Sequence, residues 1–122
     1  MTKCIFIVDD NQSVRRATRF LLESQSEFEV CGEAEDGIDA LEQASHLSPD
    51  LIILDLAMPR MNGLETAREL RARSCLAPII LFTMHAESVR PEDASSSGVN
   101  AVVSKMDLSN LQLQIRTLLV MQ

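Results

Sequence analysis

Five residues able to handle phosphate or metal stand where apolar runs stop: Asp9, Asp10, Asp55, Thr83 and Lys105. Cys4-Ile5-Phe6-Ile7-Val8 runs into Asp9-Asp10, and Leu51-Ile52-Ile53-Leu54 runs into Asp55. Ile79-Ile80-Leu81-Phe82 runs into Thr83, and Ala101-Val102-Val103-Ser104 into Lys105. Three carboxylates brought together repel one another, and burial pushes a proton onto at least one. A divalent cation removes that conflict. Mg²⁺ prefers oxygen ligands, keeps several waters, and commonly takes one or two carboxylates plus a substrate phosphate. An aspartate can itself accept a phosphoryl group as an acyl phosphate. Such transfer needs mainly positioning and charge neutralisation. Mg²⁺, Lys105 and the Thr83 hydroxyl would cover the three equatorial oxygens.

Each residue also has a plainer reading. An Asp-Asp pair after a strand is usually solvated or caps a helix, and Asp55 alone suits a turn. Lysine is mostly a surface residue, and threonine a β-branched strand residue. Four matches at four strand ends favour the chemical reading. It requires the strand ends to meet. Short β-branched runs without alternation mark strands buried on both faces, as in a parallel sheet. Such strands exit at one edge, and ligands bind in the crevice there.

The stretches between these runs have helical spacing. Over residues 13–25, Val14, Ala17 and Leu21 share a face that Phe20 and Leu22 broaden, with Arg15, Arg16, Arg19 and Glu23 opposite. Phe28 to Ala34 alternates and reads as a more exposed strand. Ile38, Leu41 and Ala44 give the next helix its buried side, ending before Ser48-Pro49. Leu64, Ala67 and Leu70 do so for a third, opened by Asn62-Gly63. The last follows Asp107, a good cap, and buries Leu108, Leu111, Ile115 and Leu118. Residues 87–97 carry Pro91 and three consecutive serines. Proline inside a helix costs ~3 kcal/mol unless it lies in the first turn, so a short or frayed helix near Pro91 is expected. β-α repeated five times implies right-handed crossovers and helices on both sheet faces.

The 122 residues fit one domain, 1–122, and 46% are hydrophobic, enough for a core without staples. Net charge is −7 with dispersed Lys and Arg, and there is no Trp or Tyr, so direct nucleic-acid binding is not expected. Three cysteines at no metal-like spacing read as thiols in a reducing cytosol. No apolar stretch approaches the ~20 residues that span a bilayer, and the expected location is cytoplasmic. His46, late in its helix, reads as a surface residue.

With Asp9-Asp10, Asp55, Thr83 and Lys105, the loop Met58-Pro59-Arg60-Met61-Asn62-Gly63-Leu64-Glu65 gives the chain its resemblance to the receiver domain of two-component response regulators. The resemblance covers essentially the whole length. It is greatest to the branch that often precedes helix-turn-helix DNA-binding domains, to judge from Leu64-Glu65 and Thr83-Met84-His85. It implies a doubly wound (βα)5 flavodoxin-like α/β fold with parallel strands in order 2-1-3-4-5. It implies that Asp55 takes a phosphoryl group from a sensor histidine kinase, a histidine phosphotransfer protein or acetyl phosphate. By the same resemblance Asp10, Asp55 and the Ala57 carbonyl are Mg²⁺ ligands, Asp9 an acidic partner, and Thr83 and Lys105 phosphate sensors. Ala57 and His85 would flank attacking water. His85 either assists it or caps the fourth helix. An output domain or target protein would receive the signal; Leu113 and Val120 leave extra apolar surface on the last helix for a partner, a homodimer being one option. Pro59 stiffens the loop, and Gly63 lets it turn tightly into the third helix.

Three positions depart from the family pattern. Val102 replaces a common aromatic whose swing reports phosphorylation, and valine is too short and stiff to make it. Met106 replaces a cis-proline, and a non-proline cis bond costs ~3 kcal/mol. Met84 replaces a small residue. The phosphorylation pocket is expected to be intact, with readout through Thr83 and the loop before the fourth helix. Two other functions compete: a phosphate-independent interaction module, and an aspartyl-phosphate phosphatase of the haloacid dehalogenase type. The latter wants a second Asp two residues beyond the nucleophile, where this chain has Ala57.

Overall fold

The computed structural model describes residues 2–120. Strands β1 (Lys3–Val8), β2 (Phe28–Ala34), β3 (Leu51–Leu54), β4 (Ile79–Thr83) and β5 (Ala101–Ser104) alternate with helices. These are α1 (Gln12–Glu23), α2 (Gly37–Leu47), α3 (Gly63–Ala72), α4 (Pro91–Ser96) and α5 (Leu108–Val120). The strands form one parallel sheet in the order β2-β1-β3-β4-β5, the expected flavodoxin-like topology.

Alternation along each strand divides the core. Ile5 and Ile7, Leu51 and Ile53, and Ile80 and Phe82 pack with Leu22 of α1 and Leu111 and Ile115 of α5. Phe6 and Val8, Ile52 and Leu54, and Ile79 and Leu81 pack with Leu41 of α2, Leu70 of α3 and Ala94 of α4. Both sheet faces are thereby covered, which is why these strands read as unbroken apolar runs.

Helix faces are where the sequence reading needs correction. In α1 the buried residues are Thr18 and Leu22, while Ala17 and Phe20 are exposed. Thr18 can be buried because its hydroxyl donates to the Val14 carbonyl at 2.8 Å. Arg15 and Arg19 do not face away. Their guanidiniums grip Glu33 of β2 at 3.0 and 2.7 Å. Ile38 is more than half exposed at 54%, and Ala40 takes its expected place beside Leu41. Leu108 is also half exposed, at 50%, because it lines a groove rather than the core. α4 is the short helix expected, with Pro91 in its first turn and Ala94 as the buried anchor.

The cysteines depart further. Cys4 and Cys31 form a disulfide between the adjacent strands β1 and β2, with Cα atoms 5.4 Å apart. That separation lies in the range a disulfide needs. Cys75 keeps a free, half-buried thiol.

Candidate functional site

The register sets the site. Val8 pairs with Leu54, so Asp9 and Asp55 follow level with each other on neighbouring strands, and the Asp55 N–H donates to the Val8 carbonyl at 2.9 Å. Thr83 pairs with Ser104 and its carbonyl accepts from the Lys105 N–H at 3.0 Å, placing Lys105 at the same sheet edge.

Carboxylate oxygens of Asp9, Asp10 and Asp55 lie within 4.8 Å of one another, with Asp9 and Asp55 buried and Asp10 exposed. Lys105 Nζ stands 2.6 Å from Asp9 Oδ2 and 3.3 Å from Asp55 Oδ2. Burial pushes the Asp55 carboxyl above its ordinary range, and the Asp9 charge adds to this; Lys105 and the Leu56 N–H offset it only in part. One ammonium faces three carboxylates. The donor set is all oxygen and carries excess negative charge, which fits a hard divalent cation such as Mg²⁺.

Asp9 is held on every polar atom. Its N–H donates to the Ala34 carbonyl, its Oδ1 accepts from the Asn11 N–H at 2.9 Å, and its carbonyl accepts from Arg15 Nη1 at 2.6 Å. Neither Asn11 nor Arg15 was singled out by sequence. Asn11 had a signal, since its side chain caps α1 by accepting from the Val14 N–H. Arg15 had none, because its partner depends on where β1 ends in space.

Behind Asp55 the loop to α3 is fixed at several points. The Gly63 N–H donates to the Leu56 carbonyl at 2.8 Å, and a Cβ on Gly63 would collide with the Asp55 carbonyl. Glycine is therefore required by close packing; its φ is not among the positive values. Asn62 and Glu65 form a capping box at the start of α3. Arg60 adopts φ 68° and pairs with Asp36, the cap of α2, at 2.5 Å. Ala57 is exposed in this loop and Met58 is buried.

At the end of β4, Thr83 is fully buried and its Oγ1 accepts from the His85 N–H at 3.2 Å. His85 does not cap α4: a 3-10 turn, Ala86–Ser88, intervenes, and Arg90 is the cap residue. Met84 is half exposed and Val102 half-buried against the α2–α3–α4 cluster. No described peptide is cis, so Lys105–Met106 is trans. A groove of about 470 Å³ opens beside Asp9 and Lys105, lined by Val14, Ala17 and Leu21 of α1, Met84 and Leu108.

The family model of the response regulator receiver domain matches residues 5–116. The chain is 40% identical over 79 residues to a protein-glutamate methylesterase/protein-glutamine glutaminase of Pyrococcus horikoshii, covering 65% of this chain and 21% of that protein. It spans less than a third of the length of this relative and of the similar methylesterases from Pyrococcus abyssi and Nocardioides. Among solved structures it resembles a two-component response regulator of the LuxR family from Aurantimonas, with TM-score 0.91, 30% identity, and coverage of 100% of this chain and 88% of that one. It also resembles the response regulator TrrA of Thermotoga maritima in complex with Mg(2+)-BeF, with TM-score 0.84, 32% identity, and coverage of 96% and 99%. With five strands in this order and the acidic cluster at their ends, the chain belongs to the response regulator receiver domain family of two-component systems.

Proposed function

We propose that residues 1–122 act as one phosphoacceptor module in which Asp55 accepts a phosphoryl group from a phosphohistidine on a sensor kinase or phosphotransfer protein, or from acetyl phosphate. The observation that carries this is the bridging of Asp9 and Asp55 by Lys105, with all three carboxylates within 4.8 Å. An Asp55 carboxylate oxygen attacks phosphorus, the bond from phosphorus to the donor breaks, and the donor leaves with its electron pair. Lys105 and the Thr83 hydroxyl meet the charge on the transferred group. Asp10, Asp55 and the Ala57 carbonyl, with Asp9 beside them, would hold Mg²⁺. When bound there it neutralises phosphoryl oxygens and the carboxylates around them. The groove beside Asp9 gives a protein donor an apolar foothold next to the acceptor. The chain acts only on its own phosphorylation and dephosphorylation, with Ala57, Met84 and His85 bordering the route of attacking water.

Readout runs through Thr83. Its Oγ1 already accepts from the His85 N–H, so a hydroxyl that turns to a phosphoryl oxygen carries the start of the Ala86–Ser88 turn with it. Val102 is not needed as an aromatic switch. The signal passes to an output domain or target protein, and exposed Leu113 and Val120 offer α5 to a homodimer. Likeness to the transcriptional regulatory protein YdfI of Bacillus subtilis favours transcriptional output, and the cytoplasm is the proposed setting.

Incubation with acetyl phosphate and Mg²⁺, followed by intact mass measurement, tests the acceptor step. Gain of one phosphoryl group by wild type and none by Asp55→Asn is expected; an adduct on both refutes it. The phosphate-independent alternative is favoured by the Val102 and Met106 departures. Unchanged partner affinity after phosphorylation would establish it.

A further inference from the structure

β1 and β2 pair residue by residue from Lys3 with Phe28 to Ile5 with Val30, and then the register skips: Phe6 faces Gly32, leaving Cys31 without a partner. One extra residue in a strand is a β-bulge, and it inverts the facing of every side chain beyond it. Before the bulge, Phe28 and Val30 point into the α1–α5 cluster. An unbroken strand would send Ala34 the same way and turn Glu33 toward α2. Instead Ala34 packs on the α2 side, and Glu33 meets Arg15 and Arg19 of α1. A Cβ at Gly32 would run into Leu47 of α2 at 2.6 Å, so Gly32 shares the Cys31 side, as a bulge demands. The bulge therefore places Glu33 where it can hold Arg15, and Arg15 is the residue that donates to the Asp9 carbonyl.

The bulged residue is the one in the disulfide. Its partner Cys4 is a fixed point: the Cys4 N–H donates to Asp50 Oδ2 at 2.8 Å, and its carbonyl accepts from the Asp50 N–H at 2.9 Å. Among the described residues β2 is an edge strand paired only with β1, so this cross-link ties the bulge to the sheet interior. Both cysteines are half-buried rather than fully enclosed in the core.

We propose that Cys4–Cys31 is a reversible thiol–disulfide site that locks the β2 bulge and, through Glu33 and Arg15, holds Asp9 in the arrangement that binds Mg²⁺. This rests on the reading of Asp9, Asp10 and Asp55 as a Mg²⁺ site. A dithiol reductant attacks one sulfur and displaces the other as a thiolate. Its second thiol then resolves the mixed disulfide, so two electrons and two protons pass to the cysteines and the reductant leaves as a disulfide. Freed of the cross-link, the bulge can relax along an edge strand, Glu33 loses its facing, and Arg15 no longer secures Asp9.

The test is calorimetric titration of the full chain with MgCl₂, oxidised and after dithiothreitol, with alkylation and intact mass counting thiols. Mg²⁺ binding should be weaker by roughly twofold to tenfold in the reduced protein and recover on reoxidation. Cys31→Ser should bind weakly in either condition. Glu33→Gln, which keeps the disulfide, should also bind weakly and ignore dithiothreitol, an outcome general loosening of the sheet would not produce. If Cys31→Ser does not fold, the wild-type comparison decides. Three alkylatable thiols in the oxidised sample, equal affinity in both states, or a full redox response in Glu33→Gln overturns the proposal. Mg²⁺ bound in neither state overturns the acidic-cluster reading as well, whereas equal binding in both removes the redox coupling alone.

Discussion

Lys105 is nearer to Asp9, at 2.6 Å, than to Asp55, at 3.3 Å, so the proposed acceptor is the less neutralised of the two buried carboxylates. Its ionised form is correspondingly disfavoured, as the upward displacement of its pKa by burial and by Asp9 shows. This arrangement sacrifices stability for a site that welcomes positive charge.

A pH dependence follows with a definite sign. The folded Asp55 pKa lies above its unfolded value, so folding disfavours ionisation. The penalty is absent below the unfolded carboxylate range and fully present once pH exceeds the folded value. Asp55→Asn should therefore melt higher than wild type at neutral pH without Mg²⁺, and the gap should close near about pH 3. Adding Mg²⁺ should raise the wild-type melting temperature more than that of the variant. Calorimetric melting across pH checks this, and a gap that widens on acidification contradicts it.

Lys105→Met removes the ammonium that bridges Asp9 and Asp55 while keeping much of the stem. Left with more negative charge, the site should bind Mg²⁺ more tightly, yet phosphorylation by acetyl phosphate should slow by about a hundredfold for want of charge stabilisation. Titration and stopped-time mass measurements separate the two effects. Weaker Mg²⁺ binding together with slower phosphorylation would argue for a structural role.

Gly63→Ala should destabilise the fold by about 1–3 kcal/mol, because the added methyl meets the Asp55 carbonyl, which is backbone and cannot swing away. Urea unfolding with an unchanged m-value is the check. Phosphorylation of the folded fraction should also slow, since the displaced atom belongs to the acceptor.

Thr83→Ala should leave Asp55 able to take phosphate but break the link to His85. In amide spectra recorded with and without beryllofluoride, wild type should show shifts through residues 84–104, and the variant shifts confined to the strand ends. A quiet 84–104 segment in wild type would sink readout through Thr83.

How much of this was legible differs from element to element. The strand ends were, because strands covered on both faces leave unbroken apolar runs whose last residue needs no alignment to find. The short α4 was too, since Pro91 tolerates only a first-turn position. The inner face of α1 was not. Thr18 is buried by satisfying its hydroxyl within the helix, and Arg15 and Arg19 reach inward to a charge supplied by another strand. Local periodicity carries no trace of that charge. The Cys4–Cys31 pairing was hidden for a similar reason: the cysteines lie 27 positions apart in sequence, and a parallel register interrupted by a bulge brings them together. Gly63 was noticed for the wrong property, its freedom to turn, when close approach to Asp55 is what excludes a side chain.

The most direct measurement is chemical trapping of the phosphorylated residue. Borohydride reduces an acyl phosphate to the alcohol, converting the modified aspartate to homoserine, which peptide mass spectrometry locates. After phosphorylation with acetyl phosphate and Mg²⁺, conversion at Asp55 alone is expected. Conversion at Asp9 or Asp10, or a phosphoryl group that resists borohydride, would contradict the assignment of Asp55 as acceptor.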